Sequence, residues 1–457
     1  MSEGIHVNPS TTLPRSQTTR MATSALYMAL ITCTGLAPVD SVRAQSTEGN
    51  EDVRAQIQAL RAEQARISEL QQRTEESIRV LEARLGLPAP TPVVTAVQRT
   101  GSLTPDATAA TGATLPASSR LKISGDLRLR GQADISDEDG RNRNSSQVRG
   151  RLGATFAASD RVVVGGRMVT GDADDPNSTD VQLSNFDDDL DISLDQAYVQ
   201  LNFGDAKIYG GKMPQPFTRT ELVWDGDVSP QGLAATYKRS LAGGGAFRAN
   251  GLFFVVDEQA AGPDSTMLGA QLGYDSAAMG GWKFDASAGY FDYSLGSVAG
   301  ADAGDFRSNL RNPDGTYLSD FRLVDVIAGA TYQGANEKWP VRAVADVVRN
   351  LDAETSADTG YGLDLSVGRI SKPGDWRFTY GYAVAETDAV FAAFSQDNLG
   401  IATNYQMHAL TADYVPMPKT MISAIWYHYK PDQAIDAGSN DPSDWLDRIR
   451  LAFLVNF

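Results

Sequence analysis

The sequence contains few of the residues that most often carry out chemistry. Its 457 residues include one cysteine, Cys33, and three histidines. His6 lies ahead of a predicted export signal, and neither His408 nor His428 has metal-ligand spacing around it. Catalysis needs a nucleophile or an acid held in reach of a base. The sequence therefore predicts neither an enzyme nor a cofactor or metal site.

Positive charge and long apolar runs are also scarce. Lys and Arg total 40 against 57 Asp and Glu, a net charge of -17. This argues against nucleic acid as a partner, because phosphate binding needs a basic surface. Mean hydropathy is -0.27, and no stretch resembles a series of membrane helices. A barrel strand, however, crosses a membrane with about 9–11 residues, of which only every second one faces lipid.

The aspartate clusters of the sequence are a weak sign of a metal site. Asp172, Asp174 and Asp175, and the run from Asp187 to Asp191, could hold a divalent cation. They lack the regular spacing of a cation-binding loop, and we interpret them as a solvated surface.

Residues 1–44 are predicted to be a signal peptide. Arg15 and Arg20 precede an uncharged segment from Met21 to Val39, and a Val-x-Ala site predicts cleavage after Ala44. Translation could also start at Met21. A membrane anchor is disfavoured by the polar residues in this segment, and a lipoprotein site at Cys33 by the threonine before it. Loss of Cys33 would leave a mature chain without thiols, which suits an oxidising compartment.

A heptad pattern follows the signal. Residues 50–85 contain neither glycine nor proline, and seam positions recur at alternating spacings of four and three. These positions are Val53, Ile57, Leu60, Gln64, Ile67, Gln71, Thr74, Ile78, Leu81 and Leu85. The pattern predicts an α-helical coiled coil over 46–86. The alternative is an amphipathic helix packed on another domain. Residues 87–119, rich in Pro, Ala, Thr and Ser, are predicted to be a linker.

From residue 120 to residue 457 the side chains alternate between apolar and polar. In the first predicted strand Leu121, Ile123, Leu127 and Leu129 share one face. Eight long polar connections (131–146, 171–190, 214–230, 258–265, 295–320, 351–359, 387–404 and 431–444) alternate with seven short turns. Short turns on one side and long loops on the other are typical of outer-membrane barrels. The predicted fold is an all-β transmembrane barrel of about 16 antiparallel strands, preceded by the coiled coil.

Aromatic residues collect at the short turns. Predicted strands that run toward these turns end in Phe156, Phe203, Tyr237, Tyr274, Tyr332, Tyr414 and Phe457. Trp282, Trp339 and Trp376 each follow a short turn. We expect them to form a girdle at the periplasmic interface, where amphipathic rings are favoured.

One segment resembles a known family. Residues 192–237 read ISLDQAYVQLNFGDAKIYGGKMPQPFTRTELVWDGDVSPQGLAATY. They resemble the corresponding region of the putative-porin family of proteobacterial outer membranes, and the similarity covers roughly residues 46–457. It implies a water-filled barrel in the outer membrane of a Gram-negative bacterium, surrounded by lipid and lipopolysaccharide, trimeric, with the coiled coil in the periplasm. The ending LAFLVNF, closed by Phe457, resembles the signal that the barrel-assembly machinery recognises.

Charged side chains at a constriction set the selectivity of such a channel. The connection 214–230 is expected to fold into the pore with Arg219, Glu221, Asp225 and Asp227. Residues predicted to line the pore are Arg128, Arg130, Arg149, Arg151, Arg161, Arg167 and Lys212. A basic wall that faces an acidic loop would set a transverse field. The alternative is a set of structural salt bridges, since a ladder of arginines needs partners, and both roles can coexist.

The leading interpretation is a porin for passive diffusion of small hydrophilic solutes and ions. A solute-specific channel for anions such as phosphate is the second. An envelope-tethering structural protein, held by the coiled coil, is the third. The sequence specifies neither the solute nor the pore size.

Overall fold

A computed structural model describes residues 120–136, 142–171, 175–184, 186, 189–296, 308–334, 336–434 and 443–457. The predicted signal peptide, coiled coil and linker lie outside the described residues. So do Asp172, Asp174, Asp187 and Asp188 of the aspartate clusters.

The described residues form sixteen long antiparallel strands, each paired with its sequence neighbours. Residues 181 and 182 add a two-residue strand beside the second of them. No helix in the described part of the chain is long and apolar enough to cross a membrane. The strands are β1 (Leu121–Ile135), β2 (Arg143–Ala157), β3 (Val162–Thr170), β4 (Ile192–Phe203), β5 (Ala206–Lys212), β6 (Gln231–Ser240), β7 (Ala246–Asp257), β8 (Ser265–Asp275), β9 (Trp282–Leu295), β10 (Arg322–Tyr332), β11 (Val341–Asn350), β12 (Thr359–Gly368), β13 (Trp376–Ala385), β14 (Tyr405–Tyr414), β15 (Thr420–Pro431) and β16 (Leu446–Asn456).

The sheet closes on itself through β1 and β16. These strands pair antiparallel from Asp126 opposite Asn456 to Ile135 opposite Asp447. The last residue extends the seam: Phe457 N donates to the Gly125 carbonyl at 3.0 Å, and Gly125 N donates to the Phe457 carbonyl at 3.2 Å. A closed barrel satisfies the backbone polar groups that lipid cannot. The predicted barrel of about sixteen strands is confirmed.

Long and short connections alternate around the barrel. We name the long ones L1 (136–142), L2 (171–191), L3 (213–230), L4 (258–264), L5 (296–321), L6 (351–358), L7 (386–404) and L8 (432–445). L1 is shorter than the predicted 131–146, because β1 and β2 stay paired as far as Asp134 and Arg143. The side chains at these ends of β1 and β2 are mostly polar. The alternation of apolar and polar residues therefore stops before the backbone hydrogen bonds between the two strands do.

The outer face carries the apolar residues of the alternating pattern. Leu127 and Leu129 of β1 are 44% and 50% exposed, as expected for side chains that face lipid. At the short turns the aromatic rings touch one another: Trp282 lies 4.8 Å from Tyr332, and Trp376 lies 4.5 Å from Tyr414, between ring centroids. These contacts bring aromatic rings together at the short turns, where the sequence predicts the girdle.

The hydrophobic core lies inside the barrel rather than between two layers. Trp224 of L3 is fully buried among rings of the inner wall and of L7. Its ring centroid is 5.5 Å from that of Phe291 and 5.8 Å from that of Phe394, which stacks on it. L3 and L7 are therefore packed together and against the β6–β11 side of the wall.

Candidate pore and constriction loop

L3 leaves the wall after β5 and crosses the lumen. Near its start Thr218 exchanges two hydrogen bonds with the Gln271 side chain of β8, at 2.8 and 2.7 Å. Thr220 Oγ1 donates to Asp346 of β11. On its return Asp227 accepts from Arg151 of β2, with Nη1 to Oδ1 at 2.9 Å. The loop is thus fixed to well-separated parts of the barrel.

L7 holds the middle of L3. The backbone N–H of Asp225 donates to the carbonyl of Phe394 at 2.8 Å. Since Trp224 stacks on the ring of the same residue, one point of L7 supplies both a hydrogen bond and an apolar contact. The sequence analysis placed L3 in the lumen but did not foresee L7 there.

An arginine wall lines the inner face of β1, β2 and β3. Arg149 and Arg151 of β2 both form salt bridges with Asp126 of β1, with nitrogen–oxygen distances of 3.0 and 2.7 Å. Arg151 also bonds Asp227 of L3 at 2.9 Å, and Arg149 is 3.7 Å from the same carboxylate. The wall and the loop are in direct contact here.

Further acids come from L2 and β4. Arg128 and Arg130 both form ion pairs with Asp180 of L2. Arg167 of β3 is paired with Asp195 of β4. The salt-bridge alternative raised by the sequence therefore describes the geometry of this wall well.

Two more arginines extend the wall onto β16. Arg448 pairs with Asp134 at 2.6 Å, and its Nη1 donates to the carbonyl of Asn398 in L7 at 2.9 Å. Arg450 donates to the side chains of Gln132 and Asn398, each at 2.8 Å. Sequence reasoning did not include this pair among the pore residues, although both stand on the polar face of the closing strand.

The acids of L3 have different surroundings. Glu221 is the most open, with half of its side chain exposed, and it accepts from Arg219 at 3.2 Å. Burial, and then the neighbouring carboxylates of Glu221 and Asp397, raise the pKa of Asp225 to about 10. Burial would raise the pKa of Asp227 as well, but Arg149, Arg151 and the Thr179 hydroxyl together lower it below its ordinary value.

Acidic residues also stand on the opposite wall. Asp325 of β10 and Asp346 of β11 are 1% and 3% exposed, under L3. Asp364 of β12 also faces inward, between two outward leucines, and is exposed to the lumen. The sequence analysis missed these three, although each interrupts an apolar run at an inward-facing position.

Two predicted pore residues stand apart from the arginine wall. Arg161 belongs to the exposed turn before β3 and not to the inner face, because β3 begins only at Val162. Lys212 ends β5 opposite Ala197 and Gln231, both of which are exposed. It borders a cavity of about 130 Å³ between L2, L3 and the wall, which Asp195 and Asp227 also line.

Among the described residues, no three His, Cys, Asp or Glu side chains are grouped to hold a metal ion. His408 and His428 lie outside the lumen, because they share a face of β14 and β15 with the exposed Leu410 and Trp426.

A closed sixteen-stranded barrel with a loop folded across its charged lumen is an architecture similar to that of outer-membrane porins. Residues 137–303 match the model of the family described as putative porin, a stretch that includes L3. The match confirms the resemblance noted in residues 192–237 and agrees with a location in the outer membrane of a Gram-negative bacterium. No curated protein matches the sequence.

Solved structures of outer-membrane proteins are similar to this chain at low identity. OprB from Pseudomonas putida, in a high-pH structure, is 11% identical with a TM-score of 0.51, covering 74% of this chain and 95% of that one. OmpF from Salmonella typhi, in complex with daunomycin, is 15% identical with a TM-score of 0.46, covering 74% and 97%. An anion-selective porin from Comamonas acidovorans is 12% identical with a TM-score of 0.45, covering 74% and 99%. At these identities the likeness concerns the fold alone.

Proposed function

We propose that this barrel is a channel for passive diffusion of small hydrophilic solutes and ions across the outer membrane. The observation that carries the proposal is that L3 crosses the lumen. Its Thr220 is bonded to Asp346 of β11, and its Asp227 is bonded to Arg151 of β2. A loop in this position narrows a barrel that is wide enough to hold an aqueous lumen. We propose that solutes pass along the arginine wall, beside the point where Arg151 holds Asp227 of L3.

The exposure of the charged groups supports this path. Arg128 exposes 21% of its side chain and its partner Asp180 only 3%. Arg151 exposes 23% and its partner Asp227 11%. Since Arg128 and Arg151 are more open than these partners, an ion moving along this wall meets their positive charge first, whereas Arg149 is as buried as its partners. Glu221 and Asp364 are the open acids on the other side of the path.

Planar-bilayer recording of the purified chain tests the proposal. The protein should give stepwise conductance, with a reversal potential in a KCl gradient that depends on the arginine wall. Replacing Arg128, Arg149 and Arg151 by Gln should shift permeability toward cations. The matched control is Arg349→Gln, which removes an arginine from the outer face, where its side chain is 64% exposed. A shift of equal size in the control, or none in the triple variant at low salt, would contradict the proposed path.

A channel that binds anions is the second candidate, and the open arginines favour it. Such a channel would saturate as the anion concentration rises, because bound anions delay those that follow. Conductance measured against phosphate concentration separates the two: a linear rise indicates simple diffusion, and a plateau indicates binding. We propose no catalytic activity for the barrel.

Assembly is proposed from the sequence. The heptads of residues 46–86 support a homotrimer held by a periplasmic coiled coil behind a cleaved signal of residues 1–44. Outer-membrane lipid and lipopolysaccharide would surround the barrel, and Phe457 would serve as the assembly signal for the barrel-assembly machinery. Tethering of the envelope by the same coiled coil is the structural alternative.

A further inference from the structure

Two histidines far from the pore are neighbours on the outer face. His408 of β14 and His428 of β15 stand directly opposite each other across the hairpin. Their ring centroids are 6.5 Å apart. The turn at 415–419 lies midway between the two histidines in the sequence. Because the two strands of the hairpin pair outward from this turn, residues at equal distances from it face each other.

Each ring is held through the same nitrogen. His428 Nδ1 is 2.8 Å from Asp447 Oδ1 of β16, and His408 Nδ1 is 2.9 Å from the Tyr380 hydroxyl of β13. A carboxylate only accepts, so His428 donates through Nδ1 and keeps a lone pair on Nε2. His408 does the same when the tyrosine oxygen accepts. Neither Nε2 has a hydrogen-bond partner among the described residues.

This arrangement is the one that metal-ligating histidines use. Their second ring nitrogen is held by a carboxylate or another acceptor, which fixes the ring and increases the basicity of the ligating nitrogen. We propose that His408 and His428 bind a divalent transition-metal ion through their two Nε2 atoms, with water in the remaining positions. Imidazole ligands select zinc, copper or nickel rather than magnesium or calcium.

The surroundings carry charge of both signs, because Lys430 Nζ lies 5.3 Å from the ring centroid of Trp445. Asp447 supplies a negative charge beside His428, and its Oδ1 is fixed by the indole N–H of Trp426 at 2.7 Å. Trp445 stacks on the His428 ring at 4.2 Å and within 3° of parallel, which restrains that imidazole. To ligate one ion at about 2.1 Å from each nitrogen, both rings must turn toward each other, and the His428 ring must then leave its stack on Trp445. The proposal does not depend on the channel function, because the site is outside the lumen.

The proposal is tested by measuring copper binding to the full chain in detergent. The protein is produced without a polyhistidine tag. Electron paramagnetic resonance of bound Cu²⁺ should show hyperfine coupling from two imidazole nitrogens. Isothermal titration with Zn²⁺ should give one site per chain. His408→Gln and His428→Gln should each lower the affinity at least tenfold, and Asp447→Asn, which removes only the outer partner, by about tenfold. Asp358→Asn, which removes a carboxylate paired with Arg349, is the control and should change nothing.

Several results would overturn the site. A copper spectrum without imidazole nitrogen, which needs no variant protein, would place the metal on carboxylates of the loops. So would unchanged affinity in the double His408→Gln, His428→Gln variant. If that variant fails to fold, the spectrum of the parent protein decides. A copper spectrum with imidazole nitrogens that persists in the double variant would equally reject this site.

Discussion

At the scale of single residues, the two buried aspartates of L3 should respond differently to the same substitution. Asp225 has a pKa of about 10, raised first by burial, so it is protonated at pH 7. Asp227 has a lowered pKa and is ionised between two arginines. Asp225→Asn should therefore leave the reversal potential unchanged. Asp227→Asn should shift permeability toward anions, because Arg149 and Arg151 lose an acid partner.

The measurement is the reversal potential in a KCl gradient at pH 7 and low ionic strength. Raising the salt should shrink the Asp227→Asn effect, since the Debye length falls from about 10 Å at 0.1 M to about 3 Å at 1 M. Equal shifts in the two variants would mean that Asp225 is charged in the open channel.

The residues of the arginine wall follow from alternation, but the acidic partners that come from loops do not. Arg128, Arg149 and Arg167 occupy polar positions of regular strands, so their inward direction can be predicted. Asp180 comes from L2, which has no period and reaches the wall only through tertiary contacts. Lys212 was predicted to line the pore, but alternation supports this weakly, since β5 is seven residues long and contains two glycines.

At the scale of elements, Trp224 determines how firmly L3 is seated. Its ring is fully buried between Phe291 and Phe394. Trp224→Ala should remove about 3–5 kcal/mol of packing from the loop. The strands keep their own hydrogen bonds, so the barrel should still insert. Single-channel conductance should become larger and fluctuate between levels as L3 moves.

Trp426→Ala is the matched control, because that indole lies on the outer face and is 36% exposed. It should leave the conductance steady. A steady, wild-type current in Trp224→Ala would show that the hydrogen bonds of L3 suffice to hold the loop.

The closing strand offers a second test at this scale. Phe457 makes two backbone hydrogen bonds with Gly125, and its ring covers that glycine closely enough that a Cβ there would lie 2.4 Å from Phe457 Cζ. Deleting Phe457 loses both bonds, each worth about 0.5–1.5 kcal/mol, and uncovers the seam. Folding into vesicles should slow, while channels that do form should conduct normally.

Electrophoretic mobility before and after heating measures the folded fraction. Phe457→Leu keeps the backbone bonds and should fold in vesicles faster than the deletion. In cells both changes should impair assembly if the ring is the assembly signal. Wild-type insertion of the deletion variant in cells would argue against that role.

Element boundaries were predictable where turn chemistry is strong. Gly204-Asp205 joins β4 to β5 as expected from the sequence, and Gly204 has a φ of +62° that favours glycine. The packing of L7 against L3 could not be predicted. It depends on Trp224 and Phe394, which are distant in sequence and lie in segments without hydrophobic period.

At the scale of the whole molecule, one truncation tests the assembly state. If the heptads of residues 46–86 hold a homotrimer, their removal should weaken the trimer and leave each barrel folded, because barrel strands satisfy one another's hydrogen bonds. Light scattering in detergent should give three chains for the full mature protein and fewer after truncation.

A control protein with Ile57, Ile67 and Ile78 changed to Ser keeps the length of the segment and disrupts its seam. It should resemble the truncation. A full-length chain that is monomeric in detergent would assign the segment another role. A trimer unaffected by either change would place the subunit contacts on the barrel.

The β1–β16 seam has a consequence for the order of the chain. Each strand is bonded to the next, and the last is bonded to the first, so the ladder is a ring with no intrinsic beginning. Gly125 and Phe457 are in direct contact at the point where the gene opens that ring. A circularly permuted gene could join these two ends and place the new termini at another short turn, such as Gly204-Asp205. Its product would have the same order of paired strands around the barrel. Circular permutation succeeds at exposed turns of this kind.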